Sequence, residues 1–230
     1  MAAHRSTATS GTVAGAPPPS DFVTPGLSVW LVVALWGALM WVAGEFDLWR
    51  TLPRVGPASP LQLAILLPIL AGAVVMAGVR SVRRAIERLD VTWLVGFQCF
   101  RVLGASHLVT WGLGLMAGGF AVPVGLGNLA VALAAVALLP GVARGLPGWE
   151  RRVVLLTLCG LAEFAMTVLL AIFGFLGVAT PLDPPPVLER YASIAQPPIS
   201  LFPTFLIPLF SLVHVATLVR LRAAGRCGPA

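Results

Sequence analysis

Two charged residues lie deep inside apolar stretches of this chain. Arg101 is about ten residues into the stretch that begins near Val91, and Glu163 is about ten residues into the one that begins near Val153. At a rise of about 1.5 Å per helical residue, both positions fall near the middle of about 30 Å of hydrocarbon. An unpaired charge at that depth costs about 2.5 to 3.5 kcal/mol. Because the two charges are opposite and match in depth, we predict that Arg101 and Glu163 meet inside a helical bundle.

Other polar residues accompany this pair. Gln98 lies one turn before Arg101 on the same helix face, so its amide could hydrogen-bond to the pair. Gly160, Thr167 and Gly174 share a face with Glu163, and small or polar residues in membrane helices face other helices. We therefore expect this face to point into the bundle.

The histidines within the apolar segments are predicted to lie at different depths. Counted from the helix ends, His107 falls in the outer half of the membrane and His214 in the inner half, about 15 Å apart along the axis. That separation argues against two ligands of one haem iron or one metal, although a single axial histidine stays open. Asn128 falls at about the depth of His107 and could bond to it. For each histidine both a packing role and a proton or ligand role stay open.

Composition narrows the class of protein. The chain is 58% hydrophobic and 10% charged, whereas soluble domains carry about 25% charged residues. All fifteen basic residues are arginine, and they flank apolar segments, which favours membrane topology over nucleic-acid binding. Cys99, Cys159 and Cys227 match no disulfide or zinc spacing. Since no hydrolase, metalloprotease or phosphate-binding motif occurs, we predict neither an enzyme nor a bound cofactor.

Apolar runs predict an all-α integral membrane bundle of six transmembrane helices. We expect a disordered tail over 1–25, the membrane domain over 26–222 and a short basic tail over 223–230. The predicted helices are 27–44, 60–79, 91–118, 128–139, 153–178 and 199–219, with 80–90 as a basic interfacial connector and 120–127 as a tight turn.

The arginines predict the orientation. With six helices both termini lie on one side, and the segments on that side hold eleven arginines against three opposite. The cytoplasmic side of membrane proteins is enriched in such charges, so both termini are predicted to be cytoplasmic. The larger group is Arg5, Arg80, Arg83, Arg84, Arg88, Arg144, Arg151, Arg152, Arg220, Arg222 and Arg226, and the smaller is Arg50, Arg54 and Arg190.

Three short patterns resemble an uncharacterised family of small bacterial multi-pass inner-membrane proteins. They are Gln98-x-x-Arg101-Val102-Leu103-Gly104, Phe120-Ala121-x-Pro123-x-Gly125-x-Gly127-Asn128, and Pro203-Thr204-Phe205-x-x-Pro208 with His214. The resemblance implies a bacterial inner-membrane location. It also implies an acidic residue where this chain has Asn128, so the chain departs from the pattern at that position.

Two functions fit these residues. The first is small-solute or proton-linked transport through the Arg101–Glu163 pair, because ionisable residues inside a membrane mark substrate or proton paths. The second is a structural or accessory membrane subunit in which the pair locks the bundle. The expected partners are the lipid bilayer and a second copy or partner subunit, with no nucleic acid.

Overall fold

The computed structural model describes residues 23–53, 59–175, 180–183 and 187–226. Within these ranges the chain is helical, with no β-strand beyond a single bridge between Val23 and Leu89. The α-helices are α1 (Leu27–Glu45), α2 (Leu48–Thr51), α3 (Pro60–Gly78), α4 (Arg80–Glu87), α5 (Val91–Phe97), α6 (Ser106–Gly112), α7 (Gly118–Ala143), α8 (Trp149–Phe175), α9 (Val187–Ala192) and α10 (Ile207–Arg226). The all-α fold class is thus confirmed.

Five helices in the described ranges are long and apolar enough to cross a membrane. These spans are Leu27–Glu45, Pro60–Gly78, Gly118–Ala143, Trp149–Gly174 and Phe202–Ala223. Large apolar side chains on their outer faces are exposed, while the buried set includes an arginine, a glutamate and two histidines. This distribution is the reverse of that in a water-soluble domain and is the one expected in lipid.

Side-chain caps define the starts of two helices, α3 and α5. The Ser59 hydroxyl accepts the Gln62 N–H at 3.3 Å, the Gln62 side chain accepts the Ser59 N–H at 2.8 Å, and Pro60 is the first helical residue of α3. At α5, the Asp90 carboxylate accepts the Thr92 N–H at 2.8 Å. Both arrangements satisfy N–H groups that a helix start leaves without a partner.

Helix α7 begins earlier than predicted. The stretch 120–127, expected as a tight turn, is helical, and α7 starts at Gly118. The Asp183 carboxylate accepts the Gly119 N–H at 2.8 Å and so caps this start from a distant loop. Pro123 lies inside α7 as its sixth residue, and prolines occur within membrane helices because neighbouring groups can satisfy the carbonyl that loses its partner.

The third apolar segment is helical but changes type along its length. Helix α5 continues into a 3₁₀ segment (Gln98–Ala105) and then into α6, which ends at Gly112 and not at the predicted 118. Gly114 follows with φ +72°, a left-handed conformation that ends helices and suits glycine. Gly114 therefore lies in the turn between α6 and α7.

The last helix extends further than predicted. A π-helical turn (Phe202–Leu206) leads into α10, which continues to Arg226 where an end near 219 was expected. The helix thus includes the first part of the predicted C-terminal tail, and 227–230 lie outside the described residues. The predicted N-terminal tail also lies outside them, apart from its last three positions.

Candidate functional site

The expected contact between Arg101 and Glu163 is present at the centre of the bundle. Arg101 Nη2 donates to Glu163 Oε2. Arg101 has no exposed surface and Glu163 is 7% exposed. Breaking a buried pair by removing one partner typically costs 3–5 kcal/mol, because the other charge is left without compensation.

Three further contacts surround the Arg101 guanidinium. Its Nε donates to Asn128 Oδ1 at 3.0 Å, and its Nη1 donates to the Gly160 carbonyl at 3.3 Å. The same Nη1 lies 3.3 Å from His214 Nε2. Because a guanidinium can only donate, Nε2 accepts and the proton of the neutral imidazole is on Nδ1.

The Phe164 ring completes the arginine environment. Arg101 Cζ lies 3.9 Å from its centroid, which is a cation–π contact. Sequence reasoning did not identify this aromatic neighbour, since a phenylalanine in an apolar helix gives no local signal. Its position next to Glu163 on α8 places it beside the pair.

The Glu163 carboxylate has its own donors. Asn128 Nδ2 donates to Oε1 at 2.9 Å, and the Thr167 hydroxyl donates to the same oxygen at 3.1 Å. Asn128 Nδ2 also donates to the Val124 carbonyl at 2.9 Å. Asn128 therefore bridges both members of the ion pair, and the expected bond from Asn128 to His107 is wrong.

The spacing of residues in the third segment suits the 3₁₀ helix. With three residues per turn, this helix stacks residues three apart above one another. Gln98, Arg101 and Gly104 follow this spacing, His107 continues it at the start of α6, and all four are buried. Buried residues thus repeat every three positions, which is the sequence signal for this segment.

Glycines allow the helices to approach the charged residues. A Cβ on Gly104 would lie 2.6 Å from Asn128 Cβ, and one on Gly127 would lie 2.7 Å from Glu163 Cγ. At Gly160 it would lie 2.8 Å from Arg101 Nη1 and closer still to His214 Nε2. Real Cβ atoms do not approach so closely, so these three positions accept only glycine without movement.

Two predicted site residues lie outside this set of contacts. Gln98 is buried, but neither amide atom has a hydrogen-bond partner among the described residues, so its expected bond to the pair is absent. The His107 Nδ1 donates to the Gly104 carbonyl at 2.9 Å, and its ring packs edge-on against Phe202 at 4.3 Å. His107 is thus a partnered packing residue in this structure.

His214 lies at the level of Arg101 in the bundle, because its Nε2 is 3.3 Å from Arg101 Nη1. In the described ranges no three histidine, cysteine, aspartate or glutamate side chains come together as metal ligands.

We call Arg101, Asn128, Glu163 and His214 the central network.

A second polar cluster lies at the start of α7. The Thr180 N–H and hydroxyl donate to Asp183 Oδ2 at 2.9 and 2.7 Å, in addition to the Gly119 bond. Burial alone would raise the pKa of Asp183, but these hydrogen bonds outweigh it and hold the pKa below its usual range. Burial and the charge of Asp183 raise the pKa of Tyr191 to about 12. Sequence reasoning did not identify this cluster, because Gly119 lies 64 positions from Asp183 in the chain.

The central network and its helices coincide with one family profile. It covers residues 58–222 and is described as a domain of unknown function, DUF8737. The chain belongs to the DUF8737 family. The match begins just before α3 and includes every residue of the central network. No curated protein and no solved structure matches the chain.

Proposed function

We propose that this DUF8737 protein crosses the membrane six times. The sixth span would be the segment of α5, the 3₁₀ turn and α6, which is helical without a break over 91–112. At about 1.5 Å per α-helical and about 2 Å per 3₁₀ residue, it extends about 37 Å, more than the hydrocarbon thickness. Its length supports a full crossing although it is not a continuous α-helix.

The arginine distribution supports cytoplasmic termini. With six spans, the connector containing α4 and the loop between α7 and α8 lie on the side of both termini. The connector holds four arginines and the last turns of α10 hold three, Arg220, Arg222 and Arg226. The positive side of a membrane protein is the cytoplasmic one, and the family resemblance favours a bacterial inner membrane.

The function that the site supports best is proton-linked transport of a small anion. The observation that carries this proposal is the central network, in which residues from three helices, α7, α8 and α10, converge on the buried guanidinium of the 3₁₀ segment. Ionisable residues inside a membrane mark substrate or proton paths by default. Interrupted helices often form transporter sites, and here the 3₁₀ segment contains Arg101 and the π-helical turn leads into the helix of His214.

Charge balance suggests the class of solute. The Arg101–Glu163 pair has no net charge, so a proton alone or an anion alone would leave the membrane interior charged. A monovalent anion on Arg101 together with a proton on Glu163 keeps the site neutral. The anion would replace the Glu163 carboxylate as the partner of Arg101, and the displaced carboxylate would take the proton. Proton and anion would therefore move together.

A structural or accessory role is the alternative. The observation that favours it is that Arg101 makes all four of its polar contacts within the chain and has no exposed surface. In this account the pair locks the bundle and the protein acts through a partner subunit or a second copy.

Transport can be tested in proteoliposomes loaded with a pH-sensitive dye. Nitrate, formate and lactate serve as probe anions, and protein-free vesicles give the background. We expect at least one anion to drive internal acidification above background, and Glu163→Gln to abolish it. Glu150→Gln, which changes an exposed carboxylate on the same helix, is the matched control and should keep full activity.

Two results would contradict transport. One is wild-type acidification no faster than in protein-free vesicles with every probe. The other is a folded Glu163→Gln protein that acidifies as fast as wild type. Either result would leave the structural role as the better account of the pair.

A further inference from the structure

A groove of about 500 Å³ lies between α7 and α8, away from the central network. Small side chains on α7 form one wall, Ala130, Ala134 and Ala137, and all three are exposed. On α8 the lining includes the exposed residues Leu155 and Cys159. Because both helices are candidate membrane spans, this groove opens toward lipid.

One charged residue lines this otherwise apolar groove. Arg152 lies in the first turn of α8 and is exposed. The ion pairs among the described residues do not involve it. Cys159 lies seven residues further along, which is about 10 Å deeper along the helix axis. The groove therefore has a cation at the membrane boundary and hydrocarbon below it.

We propose that this groove binds an anionic phospholipid, with its phosphate on Arg152 and an acyl chain along Ala134 toward Cys159. The groove has a positive charge at the membrane boundary and an apolar wall below it. A phospholipid has the matching arrangement, with a charged headgroup at the boundary and an acyl chain below it. Basic residues at the membrane boundary attract anionic lipid headgroups. The missing side-chain volume at the three alanines leaves room for the chain beside α8.

The site is distinct from the proposed transport centre. Cys159 precedes Gly160, whose carbonyl accepts a bond from Arg101, so a bound chain would end behind the backbone that supports the central network. Lipid binding would hold α7 and α8 together at the level of Asn128 and Glu163. It does not depend on transport, and its test uses no transport assay.

Native mass spectrometry of the protein in mild detergent measures this preference. Phosphatidylglycerol and phosphatidylcholine of equal chain length are added in equal amounts. We expect more phosphatidylglycerol to be retained, and Arg152→Gln to reduce the preference about fivefold, the effect of one arginine on an anionic headgroup. Arg151→Gln is the matched control, because Arg151 is exposed and adjacent but does not line the groove.

Two further measurements locate the lipid. Ala134→Trp would fill the groove from an exposed position and should remove the retained lipid while the thermal midpoint stays near wild type. A phosphatidylglycerol analogue with a diazirine in mid-chain should cross-link to the peptide that contains Cys159.

Three results would overturn the proposal. Equal losses in Arg151→Gln and Arg152→Gln would mean a diffuse surface charge. Cross-links spread over all the helices would mean general lipid contact. A dimer that Ala134→Trp dissociates, with no lipid retained, would mean that a second copy covers the groove.

Discussion

A buried arginine needs acceptors on several sides, and here they come from different parts of the chain. Arg101 has five N–H donors, and its polar contacts are to Asn128, Gly160, Glu163 and His214. These partners lie 27 to 113 positions away in sequence. The central network therefore forms only when at least four helical segments have packed together.

At the residue scale the Arg101–Glu163 pair was predictable from the sequence, but the bridging role of Asn128 was not. The predicted membrane depths and the opposite charges were enough to match Arg101 with Glu163. The role of Asn128 was missed because 120–127 was interpreted as a turn, which placed Asn128 at a helix end. With α7 starting at Gly118, Asn128 lies well inside the helix and reaches both charges.

Asp183 is expected to stabilise the protein in a pH-dependent way. Asp183→Asn should lower the free energy of unfolding near neutral pH by about 1–3 kcal/mol, because it weakens the hydrogen bonds to Gly119 and Thr180. The lowered pKa of Asp183 means that its contribution is present at neutral pH and is lost as the pH falls through that pKa, below about 3.9.

Thermal unfolding in detergent as a function of pH checks this expectation. The difference between wild type and Asp183→Asn should shrink on acidification. Asp47→Asn is the control: its side chain is 44% exposed and lies 3.8 Å from Arg50, a surface pair of little weight, so the variant should stay within about 0.5 kcal/mol of wild type. A difference between wild type and Asp183→Asn that is constant with pH would argue against a charged cap at α7.

At the scale of elements, the 3₁₀ segment explains how one helix directs three residues to the same side. An α-helix would spread residues three apart around the axis, whereas the 3₁₀ segment aligns Gln98, Arg101 and Gly104. Gly104 then lies against Asn128 and allows α7 to approach Arg101. The close contact between this segment and α7 is therefore part of the site.

Gly104→Ala should disturb this contact. Its Cβ would lie 2.6 Å from Asn128 Cβ, so we expect a loss of about 1–3 kcal/mol in stability from overpacking. Gly112→Ala is the matched control, because it lies at the end of the same segment and its Cβ would meet nothing within 4 Å. Thermal midpoints in detergent compare the two variants. Equal midpoints for the two would mean that α7 does not pack closely on the 3₁₀ segment.

Helix ends were the least predictable elements, for a physical reason. The start of α7 depends on Asp183, which is 64 positions away from Gly119. The helix propensities and residue spacing near Gly118 therefore give no indication that Asp183 caps the helix there. The end of α10 was misplaced because the arginines from Arg220 onward were taken to mark the end of the last helix, although residues with long arginine side chains can remain helical and reach the membrane surface.

At the scale of the whole molecule, the apolar exterior and the polar interior are both features of a membrane protein. Exposed leucines and valines cover α1 and α3, while charged and polar side chains meet in the centre. Composition alone predicted this membrane architecture. The number of crossings depends on one segment, 91–112, which is helical but interrupted by 3₁₀ geometry.

Reporter fusions can count the crossings. We expect a fusion within the connector after Glu87 and one after Arg226 to report the same, cytoplasmic side, because two of the proposed six spans precede the connector and four lie between it and Arg226. A fluorescent protein that matures only in the cytoplasm and alkaline phosphatase that is active only outside give complementary signals. Opposite sides for the two fusions would mean that 91–112 does not cross.

The measurement that tests the central claim most directly is a double-mutant cycle on the pair. It compares thermal unfolding of wild type, Arg101→Met, Glu163→Gln and the double variant in one detergent. We expect each single change to cost about 3–5 kcal/mol, because each leaves a buried charge alone. The double variant should cost clearly less than the sum of the two. If the losses instead add to within about 0.5 kcal/mol, Arg101 and Glu163 are not coupled and the account of the central network is wrong.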